Sequence, residues 1–70
     1  MKKTMTVREA MKERARGREW FFSLDSTARN ELGDAFVLGE FDWRDWLSTK
    51  PSAAFLNGAD DARVLWEMQS

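Results

Sequence analysis

A mostly α-helical fold, a compact small bundle of four or five short helices, is what the sequence predicts, and three observations carry that expectation. Thr6-Val7-Arg8-Glu9 has the T-x-x-E spacing of a helix capping box. Apolar residues then recur at helical intervals in two stretches, Val7, Ala10, Met11, Ala15 and later Ala28, Leu32, Ala35, Phe36. Gly17, Gly39, Pro51 and Asn57-Gly58 divide the chain into pieces of helical length. A small α+β fold with short strands near 20–24 and 64–68 is the alternative.

The first helix opens at Thr6, whose hydroxyl can accept an early amide while Glu9 reaches back. Its stripe of Val7, Ala10, Met11 and Ala15 is narrow and must dock on another element, and Gly17 is the expected terminator. Arg18 to Leu24, with Trp20, Phe21, Phe22 and Leu24, reads equally as a buried strand or a helical turn. Asp25, Ser26 and Thr27 each suit the N-cap of a second helix, in which Gly33 costs about 1 kcal/mol against Ala and which Gly39 ends.

Asp42 caps an expected short third helix in which Trp43, Trp46 and Leu47 share a face and Asp45 meets the positive end of the helix dipole. Lys50-Pro51 closes it, and Pro51 opens another through Phe55 and Leu56, ended by Asn57-Gly58. Asp60 or Asp61 would then cap a last segment with Ala62, Leu65 and Trp66. Read as a strand, Val64, Trp66 and Met68 alternate just as well. Residues 1–70 form one expected domain, with 1–5 as a flexible basic tail.

Composition narrows function before any motif does. The 70 residues contain no Cys, His or Tyr, so thiolate chemistry, Cys-based zinc sites and imidazole proton transfer are all excluded. The serines lie in no nucleophile elbow, and the glycines form no phosphate-binding loop. Asp42 with Asp45, and Asp60 with Asp61, lack the EF-hand order and the roughly six oxygens a hard cation needs. No catalytic residue, cofactor or metal is therefore expected. No apolar run approaches the ~20 residues of a membrane span, and the charged stretch after Met1-Lys2-Lys3 is unlike a secretory signal, so a soluble, cytoplasmic protein is expected.

Net charge is −1, unevenly spread. Residues 1–18 hold seven basic groups against two carboxylates, whereas 19–70 hold four against ten. Such asymmetry suits a nucleic-acid-binding arm, or two ends that attract within the fold or across a dimer. The nucleic-acid reading rests on Arg8, Lys12, Arg16 and Arg18 with Arg29 and Asn30, the last two at the start of the second helix, where helix-turn-helix proteins read bases. Asp25, Glu31 and Asp34 oppose it, because phosphate neutralisation dominates such affinity.

Aromatic content points elsewhere. Four Trp and five Phe exceed what a small helical core commonly needs. Trp20, Phe21, Phe22, Phe36, Phe55 and Trp66 suffice for one core, which leaves Phe41, Trp43 and Trp46 together in an acidic segment. Trp and Arg are over-represented among interface hot spots, so Phe41, Asp42, Trp43, Arg44, Asp45, Trp46 and Leu47 form the candidate protein-binding site. In kind, over the whole chain and without a shared motif, the sequence is similar to small accessory proteins of bacteriophages and mobile elements that bind and inhibit a host protein. That similarity implies a non-enzymatic regulator or inhibitor acting on another protein, with a homodimer as a further option and a DNA-associated regulator as the alternative.

Overall fold

The computed structural model describes residues 5–69, which form three α-helices and one turn of 3-10 helix: α1 (Val7–Ser23), α2 (Ser26–Leu38), the 3-10 turn (Trp43–Asp45) and α3 (Ala53–Gln69). The mostly helical class holds, with fewer and longer helices than expected and no strand among the described residues. Both segments that could be read as strands are helical, Trp20 to Ser23 as the end of α1 and Val64 to Met68 within α3. Of the expected basic tail, residues 1–4 lie outside the described residues.

Local chemistry sets the helix starts. The Thr6 hydroxyl accepts the Glu9 amide at 3.1 Å while the Thr6 amide donates to Glu9 Oε1 at 3.3 Å, so the capping box is complete. Asp25 proves to be the cap of α2, its carboxylate accepting the Ala28 amide at 2.8 Å. Gly39 ends α2 with φ at 70°, and the Glu40 and Gly39 amides return to the carbonyls of Ala35 and Phe36 in a Schellman pattern. Ser52 caps α3 through its hydroxyl and the Phe55 amide, and the same hydroxyl donates to Glu13 on α1.

Two expected breaks are absent, and one contact explains both. Gly17 does not terminate α1, and Asn57-Gly58 does not divide α3; each glycine is buried inside a 17-residue helix. An added Cβ on Gly17 would overlap the carbonyl oxygen of Phe55, and one on Gly58 would overlap that of Arg14. The two glycines therefore sit where the helix backbones touch, and each covers the carbonyl three residues before the other. Side chains that pair along the helices, Glu13 with Ser52 and Phe21 with Trp66, show that α1 and α3 run in the same direction. α2 and the segment after it carry the chain back between them. With α3 unbroken, Asp60 and Asp61 are not caps: Asp60 pairs with Arg63 and Asp61 with Arg14.

This crossing also leaves half of the stripe expected to dock α1 in solvent. Ala10, Gly17, Trp20 and Phe21 turn inward, whereas Val7 and Met11 are left 78% and 67% exposed. α2 packs as its periodicity suggests, with Leu32 fully buried and Ala28, Ala35 and Phe36 half-buried. The core is Phe21, Leu32, Ala59 and Ala62, with Trp20, Leu24, Phe36, Phe41, Trp46 and Trp66 packed around it. Phe22 and Phe55, both expected in it, are not part of that set, although Phe55 packs on Trp20 with ring centroids 5.5 Å apart.

Candidate functional site

The connection from α2 to α3 is built from its caps outward. Asp42 Oδ1 accepts the Arg44 amide at 3.0 Å, and the chain closes a single 3-10 turn through the Asp45 and Trp46 amides. The turn is only three residues long, and of Trp43, Trp46 and Leu47, expected to share a helical face, Trp46 alone belongs to the set that packs on the core. The turn instead sorts them. Phe41 stacks on Phe36 with ring centroids 4.8 Å apart, and Trp46 meets Trp20 edge-on at 6.4 Å, so both buttress the core.

Trp43, half-buried like Phe41 and Trp46, stands outside the set that packs on the core. The Arg44 guanidinium lies 5.8 Å from its ring centroid, and Arg44 also faces the Asp42 carboxylate at 3.7 Å. Arg44 and Asp45 are exposed, while Asp42 and Leu47 are half-buried. Of the seven candidate residues, Phe41 and Trp46 form an inner support and Trp43, Arg44 and Asp45 an outer knuckle, with Asp42 capping the turn and Leu47 half-buried.

The six residues of the nucleic-acid reading separate as well. Arg8, Lys12 and Arg16, spaced four apart, share one exposed face of α1, although Arg16 is paired with Glu13 at 3.0 Å. Arg18 lies elsewhere, beside α3, and Asn30 is exposed on α2. Arg29 is turned inward. It donates to the Phe22 carbonyl at 2.8 Å and its guanidinium lies 5.8 Å from the rings of both Phe22 and Trp66, an arrangement that joins α2 to α1 and α3 and leaves little of it for phosphate.

A second surface was not anticipated from the sequence. Ala15, Arg18, Glu19, Phe22, Ser23 and Leu65 line a shallow open hollow of about 600 Å³ between α1 and α3, and Val64 and Asp61 continue it along α3. Phe22 remains 42% exposed there and Leu65 48%. The signal for it was present in the 4-3-4 spacing of Met11, Ala15, Arg18 and Phe22, which defines a seam along α1 once Gly17 is known to lie inside the helix. Among the described residues no group of three or more acidic side chains is arranged to hold a metal ion, and no helix is long and apolar enough to cross a membrane.

No family model matches this chain, and comparison with characterised proteins and with solved structures likewise found no match.

Proposed function

We propose that this protein is a non-enzymatic protein-binding regulator or inhibitor that docks on a partner protein through the knuckle of Trp43, Arg44 and Asp45. The observation that carries the reading is the division within the 41–47 segment. Phe41 and Trp46 hold the turn against the core, which leaves Trp43 available with a guanidinium stacked on it. Trp and Arg are the residue types most enriched among interface hot spots, and a side chain held in place before binding loses less entropy on docking. In this reading the protein works in the cytoplasm, as an accessory protein that modifies the activity of a larger one.

Capture of partners with tagged protein, followed by titration of the captured partner, tests the proposal. Trp43→Ala should keep its helical spectrum and lose about 30-fold or more in affinity, the size of a hot-spot truncation. Undiminished binding by a folded Trp43→Ala protein would move the interface elsewhere.

The second reading, a DNA-associated regulator, is favoured by the exposed row of Arg8, Lys12 and Arg16 on α1. It requires affinity that falls steeply with salt, because phosphate contacts release counterions.

A further inference from the structure

The hollow between α1 and α3 has features that a second copy of the same chain would complement. Its lip carries adjacent charges of opposite sign, Arg18 and Glu19, and among the described residues neither makes an ion pair. Among the other charged groups nearby, Arg14 is matched with Asp61 at 2.6 Å and Arg16 with Glu13 at 3.0 Å. A two-fold axis brings each residue of a patch onto the partner's patch, so a symmetric interface must be complementary to itself. One free cation beside one free anion meets that condition. A ligand of single charge sign would satisfy one of the two and oppose the other.

Size complementarity gives the same register. When two α1 helices lie antiparallel with Arg18 of one against Glu19 of the other, Ala15 of each falls opposite Phe22 of its neighbour. The half-exposed Phe22 ring then enters the hollow that the small Ala15 leaves open, a knob-into-hole contact on both sides of the axis. Leu65 flanks this contact from α3, and Met11, 67% exposed, extends the seam outward.

We propose that the protein forms a symmetric homodimer through this face, with the two α1 helices antiparallel across the axis and two reciprocal Arg18–Glu19 pairs at its centre. The exposed parts of Met11, Phe22, Val64 and Leu65 amount to roughly 350 Å² per copy, which falls among the largest apolar patches of ordinary monomers. A standard interface covers ~800 Å² per partner, so the charged lip must contribute area and the dimer belongs with the small, weak interfaces. The dimer face is the α1–α3 hollow alone and is independent of the Trp43 knuckle, which the dimer would present twice.

Sedimentation equilibrium over micromolar to sub-millimolar concentrations, with circular dichroism to confirm folding, tests the proposal through charge reversal. Arg18→Glu places four carboxylates at the axis and Glu19→Arg places four cations there. Each variant alone should dimerise about tenfold or more weakly than the wild type. An equimolar mixture of the two should recover a dimer at least as strong as the wild type, because every carboxylate at the axis then faces a guanidinium. That recovery is something a folding defect cannot produce. A wild-type protein that stays monomeric throughout would overturn the proposal and leave the hollow to a foreign helix. A dimer insensitive to either reversal, or a mixture that fails to recover, would overturn it by placing the self-contact on another surface. Trp43→Ala should leave the dimer unchanged, which separates this result from the fate of the partner-binding reading.

Discussion

Replacing Gly17 by alanine should destabilise this protein even though alanine is the better helix former. In an isolated helix the exchange gains about 1 kcal/mol. Here the new Cβ overlaps the Phe55 carbonyl oxygen and also lies 2.8 Å from the Phe55 carbonyl carbon and 3.0 Å from the Ala59 nitrogen. All three are backbone atoms of a hydrogen-bonded helix, so none can rotate aside as a side chain would. Relief requires α1 and α3 to separate by about 1 Å, and a gap of that size forfeits a quarter to a half of each dispersion contact across it. Forced overpacking costs about 1–3 kcal/mol, and a purely backbone collision belongs at or above the upper end. After the propensity gain, a net loss of about 2 kcal/mol remains.

For a chain of this length such a loss lowers the Tm by about 8–16 °C. Thermal and urea unfolding followed by circular dichroism would measure it, with Gly33→Ala as the internal control. At Gly33 the nearest neighbours are Cδ and Cγ of Arg63 at 3.4 and 3.5 Å, the stem of a flexible side chain that can yield. That variant should match the wild type or gain up to about 1 kcal/mol. If Gly17→Ala melts at or above the wild-type temperature, the close crossing of α1 and α3 is wrong and the account of both buried glycines fails with it.

Trp46→Ala removes the edge-on partner of Trp20 and should cost about 2–3 kcal/mol, less than the 3–5 of a fully buried aromatic, whereas Trp43→Ala should shift the melting curve by under about 1 kcal/mol. Equal losses in the two would erase the distinction between support and knuckle. If DNA is a partner, wild-type binding should weaken steeply with salt and the double variant Lys12→Glu with Arg16→Glu should abolish it, as read by fluorescence anisotropy on a labelled duplex. Absence of binding at low salt, or binding that ignores the double change, would remove the reading based on α1.

Much of the secondary structure was legible because helix boundaries are set by neighbours in sequence. The Thr6–Glu9 box, the Asp25 cap and the Gly39 stop each depend on groups within five residues; the first and last stand where the pattern put them, and Asp25 is one of the three caps it offered. The apolar repeat of α2 translated directly into its buried side, since Leu32 and its neighbours meet the core without a special close approach. Composition also bounded the chemistry, because no fold can supply an imidazole or a thiolate that the chain lacks.

The candidate site was legible only as a segment. The stretch 41–47 keeps the Asp42 cap expected of it but forms a single 3-10 turn in place of the expected short helix, and the packing of Phe41 and Trp46 on the core, which Trp43 does not share, depends on Trp20 and Phe36, which lie on other elements. Gly17 and Gly58 mark the limit most clearly. A glycine inside a helical pattern looks the same whether it stops the helix or admits another backbone, and only the helix lying against it decides between the two. Once α3 took that place, α1 ran on to Ser23, turned Val7 and Met11 outward, and exposed Phe22 beside Leu65. Local hydrogen bonding is written in the order of residues. Which face of a helix is buried is a property of the pair of helices, set by how closely two backbones can approach.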